Sequence, residues 1–311
     1  MTGGPDAVVR AGAERFLAHE LTGTDLARAA SGHAAAQAGA LIPVDIAAIG
    51  TTAPAAVTGA LLDHALRAAG FVRRGALVPE GPDELLAAPG WRLGVVLSPW
   101  KRKVGARCTR RAPSAEATGV VDTVVRGPAG TVGFNTNTWA AQCAIEVLSG
   151  AAAPRRALIL GAGASSRSVV LALRRVWPAC EVVIFARSAG SAEELAAVLG
   201  GRPFVEPRDR TPGSGGFDLV VNTTTWGETE ASEQQPFALD LAGFLVPGVR
   251  LFDLNNRIGA LAHQALAAGC AVVSGAVMQR VTNACRAALL APPDDGGAIT
   301  PTCPPRRDGP A

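Results

Sequence analysis

Short apolar runs alternate with segments of helical periodicity along the second half of the chain, from Arg155 onward. The apolar runs predict strands at residues 156–161, 181–188, 218–224, 249–255 and 271–275, and the segments between them predict helices at residues 166–177, 191–201 and 261–269. Apolar strands of this length, separated by helices, are typical of a parallel sheet that is covered on both faces. The pattern therefore predicts a doubly wound α/β domain.

Strand–loop–helix units also occur in the first half of the chain. The stretch VDIAAIG (44–50) predicts a buried strand, and AAVTGALLDHALRAAG (55–70) predicts an amphipathic helix that ends at Gly70, because glycine adopts a left-handed cap most easily. WRLGVVLSPWKRKV (91–104) repeats the unit, with an apolar strand, a Ser-Pro break and the start of a basic helix. These units predict a second α/β domain.

The two ends of the chain differ from this pattern. Residues 5–40 are rich in alanine with apolar positions at helical spacing, so we expect one or two helices within an N-terminal extension of residues 1–43. A last helix is predicted at 277–290. Residues 291–311 are rich in proline, glycine and charge, which favours a disordered tail.

Composition narrows the classes of function. The chain has 311 residues, 48% of them hydrophobic, with 18% charged residues and a formal net charge of +3. This charge is too small to indicate binding to nucleic acid or to a membrane surface, so the expected partner is a small molecule. No apolar stretch is long enough to span a bilayer, and the N-terminus does not resemble a signal peptide.

The cysteines and histidines are scattered through the chain. They form no CxxC pair, so they predict neither a zinc site nor a disulfide framework, and no metal is expected. Reduced thiols in the cytoplasm are the simplest interpretation. A homodimer is considered as the oligomeric state.

The first candidate site is RALILGAGASSRS, which runs from an apolar strand into a helix start. Gly161 would form the tight turn, and Gly163 would let a pyrophosphate approach the backbone at the helix N-terminus. Ser166 replaces the third glycine and is still small enough for close packing. Such a motif alone is often only a tight turn, but its strand–turn–helix context favours dinucleotide binding.

The end of the next strand indicates which dinucleotide binds. An NAD site usually carries an acid there, whereas EVVIFARS ends in Ala186, Arg187 and Ser188, which favours the phosphate of NADP. The alternative is that Arg187 is an ordinary surface arginine.

The order of these motifs resembles the shikimate dehydrogenase family, over about residues 46–290. The stretches that carry the resemblance are IGTTAP (49–54), LSPWK (97–101), GVVDTV (119–124), GFNTNTWA (133–140), GAGASSR (161–167), ARS (186–188), NTTTWG (222–227) and SGAVMQ (274–279). The resemblance implies a substrate-binding domain at 44–138, to which the helix 277–290 returns, and a Rossmann NADP-binding domain at 139–276. The cofactor-binding residues that the motif and the resemblance imply are Gly161, Gly163, Ala164, Ser165, Arg167, Arg187, Ser188, Asn222, Thr223, Thr224 and Met278.

The resemblance also implies a catalytic lysine, which falls on Lys101 after the Ser-Pro break. The family pairs this lysine with the aspartate of an Asn-Thr-Asp motif, and that position is Asn137 here. An amide cannot accept a proton at neutral pH. The family's other pocket asparagine aligns with Asp122, so we expect Lys101 and Asp122 to be the acid–base pair and Asn137 to orient the substrate. The alternatives are that Asp122 only caps a turn and that Lys101 belongs to a solvated basic face.

Several other pocket positions depart from the family. The serine clamp for the substrate carboxylate corresponds to Thr51 and Ala53, with Thr52 as a replacement hydroxyl, and the glutamine of the last helix corresponds to Thr282. Asn135 is predicted to contact the substrate together with these threonines. The chain has no tyrosine, although the family uses one. A site that loses so many hydrogen bonds is expected to bind a different ligand.

The sequence thus predicts an NADP-dependent oxidoreductase that acts on a small, polar cyclic alcohol or ketone other than shikimate. A true shikimate or amino-shikimate dehydrogenase would need Thr51 and Thr52 to replace the clamp. The second hypothesis is an NADP-binding protein without redox turnover, a sensor or a partner subunit. A third and weaker one, a nucleic-acid contact through the basic residues 100–111, lacks stacking aromatic residues beyond Trp100.

Overall fold

The computed structural model describes residues 5–21, 40–204, 216–235, 237 and 239–290. These residues form an α/β protein with two six-stranded sheets, so the predicted fold class is confirmed. The strands are β1 (Ile42–Ile49), β2 (Phe71–Leu77), β3 (Leu93–Val96), β4 (Arg110–Arg111), β5 (Thr123–Gly127), β6 (Gly130–Phe134), β7 (Arg156–Leu160), β8 (Glu181–Phe185), β9 (Arg202–Pro203), β10 (Leu219–Asn222), β11 (Arg250–Asp253) and β12 (Ala271–Ser274).

Helices cover both sheets. They are α1 (Pro5–Glu20), α2 (Ala53–Thr58), α3 (Ala60–Ala68), α4 (Pro82–Ala87), α5 (Lys101–Gly105), α6 (Pro113–Thr118), α7 (Thr136–Ser149), α8 (Ala164–Val176), α9 (Ala189–Leu199), α10 (Glu230–Glu233), α11 (Ala260–Ala267) and α12 (Gly275–Ala288). Within the described ranges, no helix is long and apolar enough to cross a membrane.

The first sheet has the strand order β2-β1-β3-β5-β6-β4 and mixes parallel with antiparallel pairs. Strand β1 is parallel to β2 and β3, whereas β5 is antiparallel to β3 and β6. The β5–β6 hairpin brings Asp122, just before β5, next to the start of helix α7, because the backbone N–H of Asp122 donates to the carbonyl of Phe134 at 3.0 Å.

One predicted helix in this half was wrong in extent. The segment 55–70 is not a single helix, because Gly59 has an extended backbone (φ −68°, ψ 131°) and separates α2 from α3. The end of the segment agrees with the prediction. Gly70 follows α3 with φ +85°, a conformation that glycine adopts without strain.

The second sheet has the order β12-β11-β10-β7-β8-β9 and all of its pairs are parallel. Each strand and helix predicted from Arg155 onward is present, with bounds shifted by a few residues. The chain order reverses between β7 and β10, so the loops at the carboxyl ends of these strands flank a crevice where ligands of such folds bind.

Helix packing joins the two sheets into one structure. Helix α12 returns from the second sheet and packs against α1, α3 and α7. Helix α1 is held by the fully buried Phe16 and by two hydrogen bonds from Arg15 to Glu146, at 2.7 and 2.8 Å. The helix predicted in the N-terminal extension is therefore present as α1, and it is part of the core. Residues 22–39 of the extension and the predicted tail (291–311) lie outside the described residues, and Ile42 and Pro43, placed in the extension by the sequence, belong to strand β1.

Candidate active site

A cleft of about 620 Å³ lies at the carboxyl ends of β7, β8 and β10. It is lined by Ser98, Gly161, Ala162, Gly163, Ala164, Ser165, Phe185, Ala186, Arg187, Ser188, Ser191, Thr223, Thr224, Thr225, Trp226, Ser232, Gln235 and Phe237. All but Ser98 belong to the second half of the chain. Since Ser98 follows β3 of the first sheet, the cleft reaches from the glycine turn to the other half of the molecule.

The glycine turn has the conformation that the sequence predicted. Gly161 has φ +110°, and a Cβ atom there would lie 2.7 Å from Oγ1 of Thr223, so another residue would be strained and would clash. Gly163 is different, because a Cβ atom would meet no atom within 4 Å. The space beside Gly163, at the start of α8, is open to a ligand. This arrangement fits the pyrophosphate of a dinucleotide.

Ser166, which stands where a third glycine is usual, organises this turn. Its hydroxyl accepts a hydrogen bond from the N–H of Gly163 at 3.0 Å and lies 2.6 Å from Oγ1 of Thr223. Thr223 in turn donates to the carbonyl of Leu160 at 2.6 Å. The serine at this position therefore links the glycine turn to Thr223, which follows β10, by hydrogen bonds.

The end of β8 presents Arg187 and Ser188 to the cleft, and both are exposed. The lining residues include no carboxylate. Ser188 accepts a hydrogen bond from the N–H of Ser191 at 3.4 Å and begins helix α9. A positively charged and a hydroxyl side chain at this position fit a phosphate on the ribose better than a free ribose hydroxyl.

Three residues predicted to bind the cofactor make contacts within the protein instead. Arg167 is almost buried, and it donates to the carbonyl of Thr118 at 3.2 Å and to the carboxylate of Glu194 at 2.7 Å. Asn222 is fully buried and hydrogen-bonds to Asp253 and to the loop after β10. Met278 packs in the core. None of the three lines the cleft, so their direct contact with a cofactor stays a prediction.

Lys101 starts helix α5 and is only 7% exposed. Within the described part of the chain its ammonium group has neither a hydrogen-bond partner nor an ion pair. Burial lowers the pKa of Lys101, the positive charge of Arg286 lowers it further, and the charge of Asp122 opposes both. A buried lysine of this kind is typical of a group that exchanges protons with a ligand. It does not belong to a solvated basic face.

Asp122 lies beside Lys101, because the N–H of Val121 donates to the carbonyl of Lys101 at 3.1 Å. Its carboxylate is fully buried and accepts four hydrogen bonds. The donors are the hydroxyl of Thr123 (2.7 Å), the hydroxyl and N–H of Thr136 (2.6 and 3.1 Å) and the N–H of Asn137 (2.7 Å). Asp122 therefore holds the first turn of α7, as its capping alternative predicts, and it places a fixed negative charge near Lys101.

The two asparagines that bracket Thr136 have different surroundings. Asn135 is fully buried, caps α7 by accepting from the N–H of Thr138 at 3.2 Å, and also bonds to Thr118 and Ser168. The predicted substrate contact of Asn135 finds no support in this geometry. The side-chain amide of Asn137 is 8% exposed and has no hydrogen-bond partner in the regions that the structure covers. Asn137 is the one of the pair whose amide remains available to a ligand.

The predicted threonines lie near this site but are not equally free. Gly50 has φ +118°, and a Cβ atom there would lie 2.6 Å from the carbonyl oxygen of Ser98. This close approach lets the N–H of Thr51 donate to the same carbonyl at 3.0 Å, which brings the Thr51–Thr52 turn beside the segment leading to Lys101. Thr51 and Thr52 are exposed, whereas the hydroxyl of Thr282 donates to the carbonyl of Gln279 at 3.0 Å.

Sequence reasoning missed Arg286. This residue lies on α12, is 8% exposed, and donates from Nε to the hydroxyl of Thr123 at 3.1 Å and from Nη1 to Oδ1 of Asn283 at 2.9 Å. Residues four apart lie on one face of a helix. Extending that period from Met278 through Thr282 would have identified Arg286.

The two sheets, the glycine turn and the cleft define a two-domain α/β protein with a Rossmann-type nucleotide-binding fold. No protein-family model matches the chain. The chain is 37% identical to the NADP(+) shikimate dehydrogenase of Methylobacterium radiotolerans over 174 residues, which is 52% of this chain and 58% of that protein. It is 36% identical to the corresponding enzyme of Alkalilimnicola ehrlichii over 159 residues, 50% of this chain and 56% of that protein. The matches thus span somewhat more than half the length of these curated relatives.

Solved structures extend the similarity over most of the chain. Shikimate 5-dehydrogenase of Thermus thermophilus, in complex with NADP(H) and shikimate, is 25% identical, with a TM-score of 0.63 over 78% of this chain and 91% of that one. Shikimate dehydrogenase of Aquifex aeolicus is 20% identical, with a TM-score of 0.65 over 80% and 91% of the two chains, and it supports the fold alone. The resemblance to shikimate dehydrogenases is confirmed.

Proposed function

We propose that the protein is an NADP-dependent dehydrogenase or reductase that resembles shikimate dehydrogenase and acts on a small, polar cyclic alcohol or ketone. The observation that carries the proposal is the buried ammonium group of Lys101, which no described residue pairs with, beside the end of a cleft that fits a dinucleotide. NADP(H), when bound, would supply or accept the hydride.

The residues of the chain would bind and orient the two ligands. The glycine turn and the start of α8 would hold the pyrophosphate, and Arg187 would pair with the ribose phosphate. Lys101 would donate a proton to the substrate oxygen in reduction, or accept it in oxidation, because its lowered pKa brings it closer to neutral pH. The amide of Asn137 would hydrogen-bond to the same substrate.

Asp122 has a different role from the one that its position first suggested. Four hydrogen bonds occupy its oxygens, so we propose that it is a positioning residue that holds α7 and the charge balance around Lys101. The proton would then pass between Lys101 and solvent or substrate without a carboxylic acid partner.

The substrate is proposed to differ from shikimate. The hydroxyl of Thr282 is already bonded to a backbone carbonyl, and Ala53 stands where the family has a second serine. Since a polar ligand needs a partner for each buried hydrogen-bonding group, the loss of these partners favours a ligand with fewer hydroxyl groups.

The second candidate is an NADP-binding protein without redox turnover, and the geometry of Asp122 favours it. If the acid–base pair of the relatives is replaced by a helix cap, the protein would bind the cofactor and act as a sensor or partner subunit. A homodimer and a cytoplasmic location also remain predictions.

Lys101→Met distinguishes the two candidates. We would titrate the wild type with NADPH and NADH by fluorescence and assay shikimate, quinate and a panel of cyclic alcohols and ketones. The dehydrogenase proposal expects turnover of at least one compound, a loss of roughly 10²–10⁴-fold in kcat in the variant, and NADPH affinity within about twofold of the wild type.

Lys103→Met is the matched control, because Lys103 lies on the same helix and its ammonium group stacks on the ring of Trp100 at 4.8 Å. It should keep full turnover. Tight NADPH binding without turnover of any compound would favour the second candidate, and the absence of binding of either cofactor would contradict both.

A further inference from the structure

Two buried cations, Lys101 and Arg286, lie near one buried carboxylate, that of Asp122. Lys101 and Arg286 are 7% and 8% exposed, and Asp122 is fully buried. Within the described ranges, Asp122 is the carboxylate that attracts both cations. With Lys101 protonated, the three groups therefore carry a net charge of +1. A buried charge without a counter-ion is unfavourable, so this site is complementary to one anionic group.

Arg286 has bonding capacity left for such a group. Its Nε and Nη1 atoms donate to two neutral oxygens, on Thr123 and Asn283. No hydrogen bond from Nη2 is present among the residues described. A guanidinium group that is oriented by two neutral partners, with one nitrogen free, is well suited to a carboxylate.

The residue one turn before Arg286 on α12 has a short side chain. Thr282 lies one turn before Arg286 on the same helix face, and it is short, with its hydroxyl directed to the carbonyl of Gln279. The shikimate dehydrogenase family has a glutamine at this position. The exchange to threonine removes the amide that would otherwise compete for the guanidinium.

We propose that Arg286 binds a carboxylate of the substrate and determines specificity for it, in place of the hydroxyl clamp that Ala53 interrupts. The proposal rests on the proposed function, because it concerns a ligand of the same site. A monoanion is favoured over a phosphate because one negative charge balances the net charge of the three buried groups.

The test compares acids with their neutral esters. Shikimate, quinate and 3-hydroxybenzoate, each beside its methyl ester, are titrated calorimetrically into the protein with and without NADPH. The wild type should bind at least one acid roughly 10- to 100-fold more tightly than its ester, the range expected for a charge-assisted hydrogen bond. Arg286→Gln should reduce that ratio to within about threefold.

Arg280→Gln is the matched control, because Arg280 lies on the same helix with a half-exposed side chain, 3.5 Å from Asp6. It should keep the preference for the acid. A preference that persists in Arg286→Gln, or a wild type that prefers no acid, would overturn the proposal. NADPH affinity is measured on the same samples, so that failure of cofactor binding, which concerns the proposed function, is recognised separately.

A second pair of variants keeps the proposal testable if Arg286→Gln does not fold. Thr282→Glu places a carboxylate one turn before Arg286, where it can pair with the guanidinium, and Thr282→Gln is its neutral equivalent. Thr282→Glu should abolish the preference for acids, whereas Thr282→Gln should keep some of it. Equal acid binding by the two variants would overturn the proposal.

Discussion

The cleft at the glycine turn and the site around Lys101 are built from different kinds of residues. Around the cleft at the carboxyl ends of β7, β8 and β10, most of the lining residues are small, and the glycine turn borders open space with its backbone. Around Lys101, the candidate groups are buried charges whose partners come from α5, the β5–β6 hairpin, α7 and α12. One site is built from local conformation and the other from long-range contacts.

The two sites should therefore tolerate amino-acid substitutions to different degrees. A turn that works through backbone N–H groups tolerates changes of side chain, as the replacement of the third glycine by Ser166 illustrates. A buried charge cluster tolerates a change only if another member compensates, because each unpaired charge is costly. The exchange of carboxylate and amide that the resemblance implies for Asp122 and Asn137 would be a change of that compensated kind.

The largest effect is expected for Asp122→Asn. The amide removes the charge that balances Lys101 and Arg286 and leaves a buried N–H donor of α7 without an acceptor. We expect the free energy of unfolding to fall by about 3–5 kcal/mol. Urea unfolding, followed by tryptophan fluorescence, measures it.

Asp83→Asn serves as the control, because Asp83 is 84% exposed and pairs with Arg107 at the surface. Its effect should stay below about 0.5 kcal/mol. A loss of less than about 1 kcal/mol for Asp122→Asn would mean that the carboxylate does not hold the first turn of α7.

Among the described residues from Arg155 onward, Asp253 is the one buried acid, and its protonation makes the stability of this half depend on pH. Burial raises the pKa of Asp253 to about 6, while hydrogen bonds from Asn255 and Asn222 oppose the rise. The folded state therefore prefers the protonated carboxyl group. Its contribution to stability is fully present below the unfolded pKa of 3.8 and is lost as the pH rises through about 6.

Asp253→Asn removes the pH dependence of stability that Asp253 causes. It keeps a side-chain oxygen that can accept the hydrogen bonds from Asn222 and Asn255. The variant should gain about 2 kcal/mol relative to the wild type between pH 4 and pH 7. Urea unfolding of both proteins at these two pH values measures the gain. A difference that is constant across the range would contradict the raised pKa of Asp253.

Gly161→Ala tests the backbone character of the nucleotide site. The positive φ and the approach of Thr223 to 2.7 Å should distort the turn and weaken NADPH binding by roughly 10- to 100-fold. Gly190→Ala is the control, since Gly190 lies in α9 and a Cβ atom there meets its nearest neighbour at 4.0 Å. Fluorescence titration compares them, and equal NADPH affinities would argue that the turn does not contact the cofactor.

The smallest effect concerns the choice of cofactor. Arg187→Ala should weaken NADPH binding by about tenfold, the loss of one exposed charge-assisted contact, and leave NADH binding unchanged. Arg10→Ala, an exposed arginine on α1, should change neither. If NADPH binding is unaffected, Arg187 is an ordinary surface residue, as the alternative interpretation holds.

Sequence patterns predicted the second half more completely than the first. Strands β7, β8, β10, β11 and β12 are apolar runs bounded by glycine or polar residues, and their parallel pairing follows from the helices between them. The break at Gly59 and the β5–β6 hairpin were not predicted, because hydrophobic period alone does not distinguish a continuous helix from two short ones or identify a mixed sheet.

The sequence by itself determined the fold class, the glycine turn and the position of Lys101, since each depends on residues that are close together in the chain. Only the tertiary structure decided that Asp122 caps α7, that Asn135 and Arg167 are internal partners, and that Arg286 reaches Thr123 from a helix 163 residues away. The physical reason is that a buried polar group is defined by its partners, and the partners of these groups come from distant segments. The position of an amino acid in the chain identifies its chemistry, whereas the groups that surround it in the fold determine whether that chemistry is available to a ligand.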